Sequence, residues 1–534
     1  MMNTTELRES IFRHLDGIVI LPIAALLKEK NITNYIIEKK DITLNQLKKD
    51  FNLNEGYLNV GLRALASQGF IDYFVDNVQN EVYIKTNNAT ELAFSFFYLY
   101  EDIAHTLFLT DVFTSNSINE HTISILAPLF EKFQKIDIHS LDLNSEAGKI
   151  QYQIIKHLEG FLVGPLIVNL GMTGMFHKYF METSFSADEF HKEPEAFNIM
   201  LDFFTSLGWF IERKGKYQFT ESGLFYAKRA SAYGVTVSYL PMLKNIEMLL
   251  FGNPNKLRDI AINDAEIHVN REMNVWGSGG AHSTYFKVID EIIIELFNRP
   301  ISEQPKGILD MGCGNGAFLQ HIFNVIERQT MRGKILEEYP LFLVGADYNQ
   351  IALKVTRANL IKADIWAKVI WGDIGNPDLL AEDLKENYNI ELNELLNVRT
   401  FLDHNRIWND PKKDYDIIST SSGAFSYRGK QLSNNLVEAN LYEHLDKWAQ
   451  YVQKFGLLLI ELHTVNPNIV SKNIGKTPAT AYDVTHGLSD QYILEIEEFI
   501  KIAQKVGLYS DKRFTQRFPD TDYATVSIHL LKGK

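Results

Sequence analysis

The chain has 534 residues, too many for one ordinary hydrophobic core, so two to four domains are expected. Its hydrophobic content of 46 % and charged content of 22 % are those of a globular protein, and a net charge of −14 argues against broad nucleic-acid binding. One cysteine, Cys313, excludes an internal disulfide.

No basic-then-apolar leader of the secretory kind opens the chain, and the early apolar run 17–27 is short and contains Pro22. A cytoplasmic protein with no membrane segment is therefore expected. Residues 14–22 then read His-Leu-Asp-Gly-Ile-Val-Ile-Leu-Pro, and residues 157–165 read His-Leu-Glu-Gly-Phe-Leu-Val-Gly-Pro. Each precedes an apolar helical stretch, then helix, turn, helix and hairpin. In the first copy the helices are expected at 44–51 and 57–66, with Gly69 ending the second and 81–85 as the returning strand. In the second they fall at 187–191 and 195–205, with Gly208 as the stop and 216–220 as the return. Both copies predict winged-helix-like modules, at 1–95 and 149–235, joined by a helical connector at 96–148. The second helix of the first module, a frequent DNA reader in this motif, carries Arg63 alone as a base, and no basic face is evident.

Residues 236–300 predict a helical bridge or lid. Within it, residues 274–282 read Asn-Val-Trp-Gly-Ser-Gly-Gly-Ala-His, and Trp276 and Gly280 are candidates to close over a ligand. From 301 to 534 strands and helices alternate, which predicts an α/β domain with a parallel sheet covered on both faces. Strands are expected near 307–310, 342–347, 368–372, 415–419, 456–462 and 524–531. In such sheets the ligand sits at the carboxyl ends of the strands.

The first of these strands runs into Asp310-Met-Gly312-Cys-Gly314-Asn-Gly316 and then a helix. Glycine lets a ligand approach the backbone, and the helix N-terminus offers free N–H groups. The spacing differs from the dinucleotide pattern, whose third glycine comes one residue later and which does not require an acid before the first. It resembles motif I of the class I S-adenosylmethionine-dependent methyltransferases, whose fold is Rossmann-like. That resemblance implies further cofactor residues on the next strand ends: Asp347 for the ribose hydroxyls with Tyr348 beside it, Gly372 and Asp373 near the adenine amino group, Ile374 on the ring, and Ser421 beneath the methionine part. It also gives the N-terminal modules a role, since many small-molecule methyltransferases use a winged-helix-like domain to dimerise or to wall the substrate site; a homodimer is therefore an expected assembly.

Strand five is expected to end at His463. A segment 483–492 (Asp-Val-Thr-His-Gly-Leu-Ser-Asp-Gln-Tyr) follows it, and 399–406 (Arg-Thr-Phe-Leu-Asp-His-Asn-Arg) is read as an insertion between strands three and four. His404, His463 and His486 thus converge on one sheet edge, as a base or a metal site requires. On residues 274–282, 310–316, 399–406, 461–463 and 485–492 the whole chain is similar to polyketide-synthase-associated, metal-dependent C-methyltransferases. The resemblance implies a small-molecule or carrier-protein-bound acyl substrate and an Fe or Mn ion held by His463, His486 and Gln491, which polarises a β-dicarbonyl so that His404 or Tyr492 can take the α-proton. The sequence shows no carrier-domain serine motif, which leaves the acyl-carrier substrate open. Two alternatives stand beside it: metal-free O- or N-methylation with His463 as general base, and a cofactor-sensing regulator or scaffold.

Overall fold

The computed structural model describes residues 3–115, 117–258 and 266–534, and leaves the side chains of 280–284 outside the description. The chain divides into two compact units. One contains residues 1–281, 424–431 and 466–490; the other contains 282–423, 432–465 and 491–534.

The first unit is built on two long helices, Thr4–Glu29 and Glu146–Met172, which carry the two copies of the repeated sequence. Both are apolar on nearly all sides and both are deeply buried, as a helix in the middle of a core must be. By length and composition either could span a bilayer, but 89 % of each apolar window is buried within the protein's own core. Where the helices cross, the approach is close. A Cβ on Gly17 would lie 2.2 Å from the His157 backbone, and a Cβ on Gly160 would lie 2.3 Å from the His14 backbone. The repeat therefore places each glycine against the histidine of the other copy, and only a residue without a side chain fits.

The polar groups at the crossing are matched crosswise too. His14 Nδ1 meets the Tyr233 hydroxyl and His157 Nδ1 meets the Tyr100 hydroxyl, both at 2.7 Å. Each histidine is thus paired with a tyrosine that follows the other copy in the chain. The rest of the network is asymmetric. His14 Nε2 lies 3.2 Å from Glu159, whereas His157 Nε2 lies 3.2 Å from Gln68 Oε1, and Gln68 Nε2 donates to Asp16 at 3.1 Å. Burial alone would raise Glu159, but Lys156 and His14 hold it at about 2; Asp16, which lacks a cation partner in contact, is pushed by burial up to about 7.

Each copy continues as the sequence predicts. After the first come helices Leu44–Phe51 and Glu55–Ser67, then strands Asp72–Asp76 and Glu81–Lys85. After the second come helices Ala187–Phe190 and Pro194–Ser206, then strands Phe210–Arg213 and Lys216–Phe219. Gly69 and Gly208, which stop the second helices, adopt φ of 77° and 78°. A further pairing precedes each helix pair: Asp41–Thr43 joins Glu81–Lys85, and Phe185 bridges to Tyr217. The segment 274–282 lies within helix Arg271–Phe286 rather than in a glycine-rich linker.

The second unit is a twisted sheet whose strands are numbered here in chain order: β1 Gly307–Met311, β2 Phe342–Asp347, β3 Lys368–Trp371, β4 Leu395–Thr400, β5 Leu457–Leu462, β6 Tyr509–Ser510, β7 Gln516–Phe518 and β8 Val526–Lys532. The order is β6-β8-β5-β4-β1-β2-β3, with β7 also on β8. β1 to β5 are parallel, and β8 runs antiparallel to β5 with Ile460 opposite Ile528. β1 and β5 are buried at every residue, as central parallel strands must be.

The expected strand at 415–419 is not formed. β4 is Leu395–Thr400, a segment that the sequence reading passed over. Its Asn397 and Arg399 are buried, Arg399 against Asp403 and the ring of Trp448, so a fully buried strand carries polar residues that mask its apolar run.

Substituting Gly17 by Ala is expected to cost about 1–3 kcal/mol, because the added methyl meets backbone that cannot step aside. Chemical denaturation of the full chain measures it, and an unshifted midpoint would contradict the close crossing.

Candidate active site

The carboxyl ends of β1 and β2 are joined by hydrogen bonds. Gly312, Gly314 and Gly316 all adopt positive φ, and the Gly314 N–H donates to Asp347 Oδ2 at 3.0 Å. The other oxygen of Asp347 accepts the Asn349 N–H at 2.8 Å. A Cβ on Gly314 would meet nothing closer than 4.0 Å, so the turn stays open over its middle residue. Helix Ala317–Gln329 begins directly after the turn. Beneath it Asp310 is buried, and neither of its carboxylate oxygens has a hydrogen-bond partner among the described residues. Burial, with the Asp347 charge next, pushes Asp310 up to about 8. Cys313 is buried against the Thr356 hydroxyl, and burial raises its thiol to about 12, so it fills space and is no nucleophile.

Further along the edge, Tyr348 and Trp371 are both exposed, with ring centroids 5.5 Å apart. Gly372 approaches Ala346 and Met311, the last residues of β1 and β2 but one or none. Asp373 turns back on its own loop to accept the Gly375 N–H at 2.8 Å. Ile374 is buried, and its carbonyl accepts from the Trp448 indole.

At the ends of β4 and β5 lies a buried polar cluster. Glu461, the one charged residue of the otherwise aliphatic strand β5, accepts from the backbone N–H groups of Asp403 at 2.8 Å, His404 at 3.3 Å and Leu462 at 2.7 Å. The same carboxylate meets His404 Nδ1 at 2.5 Å. A carboxylate bound by so many donors is an acceptor, so Nδ1 carries the proton of this bond. The turn that presents His404 is strained: Phe401, just after β4, has φ of 54°. Its neighbour Asp403 is fixed by Arg399 at 2.5 Å and His444 at 2.8 Å. Burial alone would raise Asp403, yet the Arg399 charge and the His444 hydrogen bond hold it far below the carboxylate range. Tyr492 donates its N–H to the His404 carbonyl at 2.8 Å, and its ring lies 5.4 Å from the Arg406 guanidinium. Tyr285 packs against Phe401 and Phe518, at 5.8 and 5.2 Å between centroids.

Several expected site residues stand elsewhere. His463 is a satisfied core histidine: Nδ1 donates to the Leu494 carbonyl at 3.0 Å, Nε2 accepts from the Ser527 hydroxyl at 2.7 Å, and burial lowers its pKa to about 3. With both nitrogens engaged it suits neither metal ligation nor general-base work. His486 belongs to the N-terminal unit, where Nδ1 faces the Tyr482 carbonyl at 2.8 Å, while Gln491 starts a segment of the C-terminal unit. Among the described residues no group of three or more His, Cys, Asp or Glu has the geometry to hold a metal, and with both His463 nitrogens engaged the expected Fe or Mn is not supported. Trp276 packs its ring against Gly171 and Gly234 of the N-terminal unit, where it fills a gap left by glycines. The surroundings of Gly280, like the side chain of His282, lie outside what the structure describes. Ser421 does not follow a strand: its hydroxyl donates to Glu495 at 2.6 Å and holds a coil in place.

Residues 266–529 match the model of the AprA MT2-like domain, 159–253 that of the AprA winged helix domain and 7–73 that of the AprA N-terminal domain. Together the three AprA models cover most of the chain, and its C-terminal part is a methyltransferase domain. No curated protein matches it in sequence. Solved structures similar to it include the mitomycin 7-O-methyltransferase MmcR, at 10 % identity and a TM-score of 0.44 over 72 % of this chain and 98 % of that one. The CurJ carbon methyltransferase is 11 % identical with a TM-score of 0.34, over 77 % and 98 %. PigF, solved with SAH, is 11 % identical with a TM-score of 0.40, over 71 % and 98 %. The methyl donor of such an enzyme is S-adenosylmethionine, and the chain's own residues fit it. Asp310 is a buried carboxyl group with no partner among the described residues, and a cationic ligand beside it would favour its ionised form; Asp347 keeps acceptor capacity beyond its two backbone bonds.

The Asp310 shift has a consequence for stability. An acid whose native pKa lies above its unfolded value of about 3.9 stabilises the fold at low pH and loses that contribution as pH rises. The cofactor-free protein is thus expected to weaken between pH about 4 and about 8, and Asp310→Asn to flatten that slope. Denaturation midpoints across this window check it; an unaltered slope would mean that Asp310 is not the group responsible.

Proposed function

We propose that this enzyme methylates an acidic carbon of a small acyl substrate, such as a malonyl-type thioester, and that His404 is its general base. The observation that carries this reading is the His404–Glu461 pair at the carboxyl edge of the sheet, 2.5 Å apart and clamped by three backbone N–H groups. A methyl group on sulfonium is already activated, so the enzyme's part is alignment, exclusion of water and removal of one proton. Glu461 fixes the imidazole tautomer and stabilises the imidazolium that forms when Nε2 takes the α-proton. The bond from the carbanion to the methyl carbon then forms as the carbon–sulfur bond breaks, and S-adenosylhomocysteine leaves with the electron pair. Arg399, Asp403 and His444 support this pair by locking the turn that carries it. Asp310, the glycine turn and Asp347 bind the donor in this reading. No step in this reading passes through a metal.

His404→Ala is expected to lower kcat by about 10²–10⁴-fold while leaving cofactor affinity intact. Glu461→Gln should lower kcat and also the melting temperature, because its amide nitrogen would face donors that a carboxylate oxygen now accepts. Turnover of malonyl, acetoacetyl and phenolic acceptors with isotope-labelled cofactor measures this, and an unimpaired His404→Ala enzyme would remove the base from the mechanism. Asp347→Ala should do the reverse: calorimetry should show cofactor binding weakened by about tenfold or more, from the loss of a charge-assisted bond. Unchanged affinity would displace the donor site from this edge.

A further inference from the structure

The helix Gln350–Lys362, between β2 and β3, has two apolar stripes where a surface helix needs one. Leu353, Thr356 and Leu360 face inward and are buried. On the outer side Ile351 is 71 % exposed, Val355 is exposed, and Ile361 is again 71 % exposed, with Ala358 between them. Just past the helix Trp366 is 89 % exposed. Lys354, Arg357 and Lys362 are interleaved with these residues, and the helix contains no acid; Asp364, beyond its end, is the nearest carboxylate in sequence. Exposed apolar groups in a continuous stripe mark an interaction surface. The charge is the opposite of that of the whole chain, at −14.

We propose that this stripe docks an acidic, helical protein partner of the acyl-carrier type. The charge pattern selects this occupant. The cations sit between the apolar residues, so a partner must present carboxylates interleaved with its own apolar ridge, as an acidic amphipathic helix does. At 1.5 Å per residue the helix is about 20 Å long, enough for a helix-on-helix contact of three turns. A second copy of the chain paired face to face would set the three cations against their own counterparts. The partner class rests on the acyl-thioester reading above; the surface does not.

The test uses the full chain and a fluorescently labelled malonyl-loaded acyl carrier protein, with binding read by anisotropy. Saturable binding is expected, weakened by about tenfold or more in Lys354→Glu/Lys362→Glu and also weakened in Ile351→Ser, with melting temperature and cofactor affinity unchanged. No binding by the unmodified enzyme, or equal binding by the charge-reversed variant, overturns the proposal. So does charge-dependent binding of phosphatidylcholine–phosphatidylserine vesicles or duplex DNA in its place. Charge-sensitive carrier binding without methyl transfer would support the docking surface and count against the malonyl acceptor alone.

Discussion

The chemistry of the C-terminal unit depends on one buried carboxylate. Glu461 ends a strand whose other residues are aliphatic, and it is 1 % exposed. Such a charge is tolerable only if donors surround it. The donors are the backbone of the turn after β4, the backbone of its own strand end and the imidazole of His404. Satisfying Glu461 therefore fixes the strained turn at Phe401, brings Asp403 to Arg399 and His444, and sets the tautomer of His404. Folding energy and chemical competence share the same bonds.

Much of this architecture is legible in the sequence. The glycine turn after β1, the order of alternating elements and the two repeated modules follow from local signals: periodicity, stop glycines and strand-ending acids. The site was read less well at β4. Arg399 and Asn397 look like surface residues in a linear reading, because nothing local reveals that Asp403, Trp448 and a neighbouring strand await them. With β4 masked, the apolar run at 415–419 reads as the fourth strand and places Ser421 beside the cofactor. The true turn after β4 was then read as an insertion, although it holds His404.

His463 and Glu461 show a second limit. Both lie at the end of β5, two residues apart, so their side chains share the strand's alternation and a side-chain type cannot decide between them. The decision comes from partners far along the chain. Ser527 and Leu494 consume both nitrogens of His463, whereas Glu461 reaches across to a neighbouring turn. The signal that could have been used is compositional: one acid inside a wholly aliphatic central strand is costly unless it has work to do. The histidines show the same limit, since His404 and His463, which a linear reading puts on one sheet edge, take separate hydrogen-bonding duties in the fold.

The crossing of the two long helices explains why the repeat can still be recognised. Around it the copies have drifted apart: loops differ in length, a third strand has shrunk to a single bridge, and a glutamine replaces a carboxylate in one half of the network. At the crossing such drift has little room. A side chain on either glycine would strike backbone, and backbone cannot be exchanged for something smaller. The two histidine-led motifs are thus alike at the place where geometry admits very few spellings.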